Sequence, residues 1–419
     1  MHEVEPPLDS EGLEGLSVPN VEALTVSGHD IGTALGHYLV WLGSSAARTG
    51  ALKLYFLSRE GSWLANHYSR LRCSHPDGSS WPIPVTLAVS RRSTFLPSLP
   101  LVDHQALRPL LAQYPHVLSA TVLQSLGLDL PTAASHQGSI ASRLPLNRPW
   151  AESGVAEDIL RDSWIAAGLE RRRVHQREAF FRYLAQEGAT DVDPLVVADI
   201  GWRGTIQDNL ARIMPARRVV GFYLALFPPF SPAAPNTEKH GFIHGPTDSV
   251  RMARRLRFVA PLEFVATGEA QSILEYRIET GSARPITDTL SIAPLESPAF
   301  KCFQQAVSLG VDGAATTREP SAALARKRIL HMLEAPPTSL VNLFFEAWRD
   351  DRYGAGVIRR GAPRLRRGRI ISALASRNAR RSVGIELNNS GWPWGLLVRD
   401  MPVAAPLLRR LILSLDVRL

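Results

Sequence analysis

The chain is poor in cysteine and has no long apolar run. Its 419 residues include only two cysteines, Cys73 and Cys302, which lie far apart and fit no metal-binding spacing. This scarcity excludes a disulfide framework and favours a reducing compartment with both residues as buried thiols. No apolar run approaches the length that spans a bilayer, and the acidic N-terminal segment lacks the features of a signal peptide. We therefore expect a cytoplasmic protein.

A Gly-rich junction, PLVVADIGWRGTIQDNL at residues 194 to 210, is the most informative stretch that is present. Its apolar first half predicts a strand that ends at Asp199, and its amphipathic second half predicts a helix that begins at Thr205. Backbone N–H groups and the helix dipole favour an anion at such a junction. Gly201 and Gly204 lack the Cβ atoms that would block its approach. The stretch predicts a phosphate or cofactor cradle.

Two similar junctions precede it in the chain. The strand predicted at 52 to 57 breaks into a helix at SREG, residues 58 to 61, and the strand predicted at 84 to 90 is followed by Arg91 and Arg92. Loops that follow parallel strands gather at one edge of an open α/β sheet. We therefore expect the SREG and Gly-rich junctions to share one crevice and to hold one ligand from two sides. Arg91 and Arg92 would face the same edge, or they could form only a surface pair.

The Gly-rich junction has competing interpretations. A methyltransferase usually carries D-x-G-x-G-x-G after its first strand, whereas here the glycines follow Asp199 by two and five positions and the strand comes late. A P-loop is excluded because the junction contains no lysine. The glycines can also serve only as a tight joint between strand and helix. The upstream SREG junction favours a ligand site over this purely structural interpretation.

The order of these elements resembles the type I phosphoribosyltransferases. The segments FLSREG, AVSRRSTFLPSL and DIGWRGTIQ also resemble a domain found beside haloacid-dehalogenase-like phosphatases in bacterial polysaccharide loci, which is similar to the ribofuranose-adding phosphoribosyltransferases. The resemblance covers about residues 25 to 280. It implies an α/β fold with a mostly parallel sheet and helices on both faces. The implied activity is transfer of a 5-phosphoribosyl group from phosphoribosyl pyrophosphate to a glycan or lipid-linked glycan acceptor.

The resemblance also implies roles for individual residues. The donor-binding and phosphate-binding positions are Ser58, Arg59, Gly61, Arg91, Arg92, Gly201, Trp202, Arg203, Gly204, Thr205 and Gln207. Asp199 maps to the acid that receives the ribose hydroxyls, although Ala198 stands where the family usually has a second acid and the loop is shorter. An acceptor hydroxyl needs a base, for which Glu60 and Glu263 are candidates; either could instead be a helix-terminus or solvated acid.

The expected chemistry involves a cation and a partner enzyme. Arg59, with Arg91 or Arg92, would clamp the leaving pyrophosphate, while Mg²⁺ would bridge its oxygens and reach the protein mainly through the donor and Asp199. No D-x-D-x-T follows a buried strand. A separate haloacid-dehalogenase-like phosphatase would therefore remove the phosphate.

The chain divides into three predicted regions. Residues 1 to 20 are predicted to be a disordered tail, residues 21 to 290 an α/β core, and residues 291 to 419 a helical, Arg-rich C-terminal region. Within the core, helical patterns at about 100 to 190 interrupt the strands and predict a helical hood. The segment at 219 to 227 is apolar on both faces, as expected of a central parallel strand.

Positive charge is concentrated near the C-terminus. Residues 351 to 419 contain 14 arginines, no lysine and four acids, a net charge of +10 against +8 for the whole chain. Beside Trp392 and Trp394, these arginines could bind an anionic membrane surface, or they could lie on a solvated helical face that caps the core. No zinc knuckle, helix-turn-helix or aromatic-basic sheet motif accompanies them, so no nucleic acid is expected.

Two other functions compete with phosphoribosyl transfer. The Gly-rich junction leaves open a methyltransferase that uses S-adenosylmethionine. A module without activity could bind a phosphorylated ligand or scaffold a glycan-assembly complex. The transferase would act in the cytoplasm, at the inner membrane face if the arginines bind lipid.

Overall fold

The computed structural model describes most of the chain. The described residues are 18–113, 116–128, 130, 144–229, 232–268, 271–287, 297–346, 348–350, 358–360, 364–365, 368–370, 372 and 376–414. They form an α/β structure around one parallel sheet.

Five parallel strands form the central sheet, in the order β2-β1-β3-β4-β5. The strands are β1 (Lys53–Leu57), β2 (Ile83–Leu87), β3 (Leu195–Trp202), β4 (Val219–Leu226) and β5 (Thr237–His244). Every residue of β4 is buried, which confirms the predicted central strand. The chain passes from β1 to β2 on one side and then to β3 on the other. The order therefore reverses between β1 and β3, where open α/β sheets form a binding crevice.

Helices and two small hairpins surround the sheet. The helices are α1 (Val18–Ala47), α2 (Glu60–Ser74), α3 (Arg91–Ser98), α4 (His104–Gln113), α5 (Ser119–Ser125), α6 (Val155–Leu160), α7 (Ser163–Gln186), α8 (Thr205–Ile213), α9 (Val250–Leu256), α10 (Ala260–Val265), α11 (Pro298–Asp312), α12 (Ala322–Glu334), α13 (Thr338–Glu346), α14 (Arg377–Asn389), α15 (Pro393–Asp400) and α16 (Ala405–Ser414). The hairpins pair β6 (Ile273–Glu279) with β7 (Ser282–Thr287) and β8 (Trp348–Asp350) with β9 (Ile358–Arg360).

Apolar side chains cover both faces of the sheet. Successive strand residues point to opposite faces, so Phe56 and Val196 belong to one buried cluster and Tyr55 and Val197 to another. The first cluster includes residues of α1, α2 and the C-terminal helices, and the second includes residues of α7 and α8. The predicted parallel α/β sheet with helices on both faces is therefore confirmed.

The C-terminal helices share the core with α1. A Cβ atom on Gly32 would collide with the carbonyl oxygen of Val307, and one on Gly310 with that of His29, so α1 and α11 pack at backbone contact. Trp392 is fully buried in the same cluster, and its Nε1 donates a hydrogen bond to the Leu333 carbonyl at 2.9 Å. The C-terminal region therefore completes the core.

Several local predictions were wrong. Strand β3 continues past Asp199 to Trp202, because Gly201 and Trp202 extend the pairing with β4. Helix α1 begins at Val18, so residues 18 to 20 of the predicted tail are helical, while residues 1–17 lie outside the described part. The β8–β9 hairpin interrupts a region expected to be helical, because its two segments pair with each other.

The expected burial of the cysteines was also wrong. Cys73 is exposed and Cys302 is half-buried. Cys73 lies on the side of α2 opposite to the buried Leu64 and Leu71, so it does not reach the core. No disulfide is formed, as the sequence led us to expect.

Trp392 and Trp394 do not face outward as a membrane anchor would. Both are buried, because they fill the space between the C-terminal helices. The interpretation of these tryptophans as membrane contacts was therefore wrong, although four arginines of the same region, Arg352, Arg366, Arg367 and Arg418, lie outside the described residues. No described helix is both long enough and apolar enough to cross a bilayer.

The described parts of residues 100 to 190 contain helices α4 to α7, joined by turns. Helices α4 to α7 build a separate apolar cluster that includes Leu123, Trp150 and Ile165. None of their described residues lines the cavity at the sheet edge. A covering role for this segment stays a prediction.

Candidate functional site

A cavity of about 690 Å³ opens at the carboxyl ends of the strands. Its volume falls within the roughly 300–1,000 Å³ of small-molecule sites. Arg59 follows β1, Arg91 follows β2, Thr205 follows β3, Pro228 follows β4, and His244 ends β5, and all five residues line the cavity. The cavity therefore occupies the sheet edge where ligands of open α/β folds bind.

The structure brings most of the predicted site residues together. Those that line the cavity are Ser58, Arg59, Glu60, Arg91, Arg92, Asp199, Gly201, Trp202, Arg203, Gly204, Thr205 and Glu263. They come from chain segments up to two hundred residues apart, which the parallel strands bring to one edge. Their shared location is a finding, and their roles stay predictions.

Gly61 and Gln207 lie away from the cavity wall. Gln207 Nε2 donates to the carbonyl oxygens of Val219 and Glu238 at 2.9 and 2.8 Å, and its Oε1 accepts from the Tyr223 hydroxyl at 2.8 Å. This buried amide joins α8 to the sheet and does not face a ligand. Gly61 is buried where α2 packs closely on Phe56 of β1.

Asp199 interacts electrostatically with two other carboxylates of the cavity, Glu60 and Glu263. Its Oδ1 accepts a hydrogen bond from the Ile200 N–H at 2.7 Å. Burial raises the pKa of Asp199 well above its ordinary value, and the negative charges of Glu60 and Glu263 raise it further. The hydrogen bond from Ile200 and the positive charge of Arg91 lower this pKa, but by less. The three carboxyl groups therefore form one electrostatically coupled set.

Glu263 is positioned by an aromatic residue. Its Oε1 accepts a hydrogen bond from Trp202 Nε1 at 2.9 Å. The Trp202 ring is nearly parallel to Phe227, with an interplanar angle of 12° and centroids 5.9 Å apart. Because Trp202 extends strand β3, the end of that strand fixes the position of a carboxylate from α10.

The two glycines predicted to form the cradle, Gly201 and Gly204, are required by the backbone conformation. Gly201 has φ +146° and packs against Ala225, and Gly204 has φ +65° where it precedes the first residue of α8. Side chains other than glycine rarely adopt these conformations. Below Gly204, Lys239 Nζ forms a salt bridge with Asp208 Oδ2 at 2.7 Å. The tight-joint interpretation therefore explains the glycines, and the indication of a ligand comes from the surrounding charge.

The cavity carries more arginine than the sequence analysis recognised. Among the described residues, six arginines and four acids line it, a formal excess of two positive charges. Arg254 and Arg257 follow β5 and were missed, together with Asp248. Their signal in the sequence was a cluster of arginines soon after a strand, the same pattern as Arg91 and Arg92. An excess of guanidinium groups at a sheet edge suits a ligand with several anionic groups.

The described residues contain no group of three or more His, Cys, Asp or Glu side chains placed to hold a metal ion. No protein-family model matches the chain, and no curated protein matches it either. The function is therefore argued from the cavity.

Proposed function

We propose that the protein transfers a 5-phosphoribosyl group from phosphoribosyl pyrophosphate to a hydroxyl of a glycan acceptor in cell-surface polysaccharide biosynthesis. One observation carries the proposal: a cavity with six arginines opens where the strand order reverses, and an interacting set of three carboxylates lies inside it. The donor has phosphate groups at both ends of a sugar. Guanidinium groups suit the ends, and carboxylates suit the sugar hydroxyls between them.

In this proposal the donor lies along the strand ends. Arg59, Arg91 and Arg92 would bind the pyrophosphate beside β1 and β2. The first N–H groups of α8, at Thr205, would bind the 5-phosphate, because the start of a helix favours an anion. Asp199 would accept hydrogen bonds from the ribose hydroxyls between these two positions.

The reaction exchanges one bond at the anomeric carbon. The bond from C1 to the pyrophosphate oxygen breaks, and the pyrophosphate leaves with the electron pair. The acceptor oxygen bonds to C1, and its proton passes to Glu263 or Glu60. Arginines stabilise the negative charge of the leaving group, and carboxylates stabilise the positive charge on the sugar. A separate haloacid-dehalogenase-like phosphatase would then remove the 5-phosphate.

A divalent cation is compatible with these residues. Mg²⁺ is usually held by one or two carboxylates together with substrate phosphates, so no three-residue protein site is required. Asp199 and Glu60 are the residues that would hold it. When bound, the ion would neutralise charge on the pyrophosphate.

The charge of the cavity favours this donor over S-adenosylmethionine. The sulfonium of that cofactor is cationic, and an excess of arginine disfavours it. A module that only binds would take up the donor without turnover. These two alternatives make different predictions about binding and product.

The test is to incubate the full chain with phosphoribosyl pyrophosphate, Mg²⁺ and a panel of glycans. We expect acceptor-dependent release of pyrophosphate and a mass gain of one phosphoribosyl group on the acceptor. Arg59→Ala should abolish most of both signals, whereas Arg70→Ala, at an exposed position of α2, the helix that follows Arg59, should not. Donor binding without release would support the binding module, and methyl transfer would support the methyltransferase.

A further inference from the structure

Five of the cavity arginines fall into two groups, and the sixth, Arg203, follows β3 between them. Arg59, Arg91 and Arg92 follow β1 and β2, whereas Arg254 and Arg257 follow β5. β1 and β5 are separated by three strand intervals in the sheet. At ~4.8 Å per interval, the strands that precede the two groups are about 14 Å apart. In the proposed function the donor pyrophosphate lies at the first group, beside β1 and β2, so the second group, beside β5, is not part of that contact.

Arg254 and Arg257 place two like charges on one wall. Partial burial lowers the pKa of Arg257, and the charge of Arg254 lowers it further. Their neighbour Arg255 instead forms two hydrogen bonds with Glu334, at 2.6 and 2.9 Å. Of the acids at this end, Asp248 accepts from the Gly245 N–H at 2.9 Å and Glu263 accepts from Trp202. A bound anion would relieve the repulsion between the two guanidinium groups.

A stacked pair of aromatic rings also lines the cavity. The parallel rings of Trp202 and Phe227 both line it, and Glu263 is attached to the Trp202 indole. A sugar ring has faces of C–H groups that pack on aromatic rings, while its polar groups reach neighbouring side chains. Glu263 would therefore lie beside a sugar hydroxyl, as a base requires.

We propose that Trp202, Phe227, Arg254 and Arg257 form an acceptor subsite, and that it selects a sugar carrying an anionic group, either a carboxylate or a phosphate. The role as acceptor subsite rests on the proposed function. The expected affinity for an anionic sugar does not rest on the proposed function. It depends only on the two guanidinium groups and on the stacked rings of Trp202 and Phe227. Arginine binds both kinds of anion with two parallel hydrogen bonds.

The experiment measures binding of three probes by calorimetry or ligand-observed NMR. Methyl glucuronide carries a carboxylate, glucose 1-phosphate carries a phosphate, and methyl glucoside is the neutral match. We expect the acidic probes to bind more tightly than the neutral one. The double variant Arg254→Gln/Arg257→Gln should weaken the acidic probe by about tenfold or more, as for hydrogen bonds to charged groups. Arg251→Gln, outside the cavity on the same helix α9, is the matched control.

The outcomes separate this inference from the proposed function. Preference for one acidic probe identifies the anion as carboxylate or phosphate. If the protein binds phosphoribosyl pyrophosphate but shows no preference for acidic probes, or if the double variant binds them normally, the subsite is wrong. If it binds acidic probes through Arg254 and Arg257 but not the donor, the anionic-sugar site stands and the proposed function fails. The double variant should keep its donor affinity within about twofold, whereas Arg59→Gln should lose it.

Discussion

Arg59 donates two hydrogen bonds to a single oxygen of Glu60, from Nε at 2.9 Å and from Nη2 at 2.6 Å. Both residues line the cavity, at the point where β1 passes into α2. The contact orients the guanidinium and places its charge beside the carboxylate that raises the pKa of Asp199. Arg59, Glu60 and Asp199 are therefore linked at this edge of the sheet, by hydrogen bonds between the first two and by charge between the last two.

Replacing Arg59 should affect turnover more than binding of a fragment. A clamp on the leaving group acts mainly as charge develops, so Arg59→Ala should lower turnover on the order of 100-fold. Binding of ribose 5-phosphate, which lacks the pyrophosphate, should change little. Arg59→Lys should restore only part of the rate, because an ammonium group cannot form the paired contact. Calorimetry and steady-state release of pyrophosphate measure the two effects, and equal losses in both would place Arg59 elsewhere.

Asp199→Asn should make the protein more stable while it weakens donor binding. Because the folded state raises the pKa of Asp199, ionisation of this carboxyl favours unfolding. Wild-type stability should therefore fall as pH rises from the ordinary value of 3.8 through the raised value. The amide has the same shape and no charge to bury.

The measurement is the melting temperature of both proteins from acidic to neutral pH. The variant should melt higher than the wild type at neutral pH, and the difference should vanish in acid. A variant that melts lower at neutral pH would show that the carboxylate stabilises the fold.

Glu263→Gln tests the acceptor base. Loss of a general base typically lowers a rate by about 100-fold or more, and donor affinity should survive because the amide keeps the shape. Trp202→Phe keeps an aromatic ring but removes the N–H that positions Glu263, so it should lower the rate as well, by a smaller factor. The decisive readout is the pH profile of turnover, in which the acidic limb, where a general base becomes protonated, should change in both variants. A wild-type rate for Glu263→Gln would leave Glu60 as the candidate.

The Lys239–Asp208 pair should matter for stability. Both side chains are mostly buried, with 12% and 5% of their surface exposed. Lys239→Met would leave Asp208 buried without this partner, which costs on the order of 3–5 kcal/mol. Adding Asp208→Leu should recover much of the loss. Urea denaturation of the single and double variants measures this, and an additive double variant would argue against direct coupling.

Trp392→Ala distinguishes the core from a membrane surface. The indole is fully buried, so its removal should cost about 3–5 kcal/mol of unfolding free energy. Sedimentation with anionic liposomes should not change, since this side chain faces the core. If lipid binding occurs, it should arise from the arginines, each worth about 1 kcal/mol near the surface, and should weaken with salt. Loss of liposome binding without loss of stability would restore a membrane role for Trp392.

Local patterns predicted the elements that position the site. Apolar runs marked β1 and β4, and the change to an amphipathic pattern marked the start of α8 at Thr205. The end of β3 was missed because its last residues are held by pairing with β4 rather than by an apolar pattern. Long-range pairing of this kind leaves no local signal.

Arg254 and Arg257 show that site residues, too, can depend on long-range contacts that the local sequence does not reveal. The arginine cluster is visible in the sequence, but no local pattern indicates that the chain returns to the cavity after β5. Their position depends on how α9 packs beside the strand ends, which is a tertiary contact. The buried tryptophans were misread for a related reason, because an arginine-rich sequence does not reveal which of its aromatic side chains enter the core.

The most direct test of the central claim is calorimetric titration of the full chain with phosphoribosyl pyrophosphate and Mg²⁺, beside S-adenosylmethionine. We expect saturable binding of the phosphorylated donor, severe weakening in Asp199→Asn, and no binding of S-adenosylmethionine. Absence of donor binding to the folded protein, or equal affinity of Asp199→Asn and wild type, would contradict the assignment of this cavity.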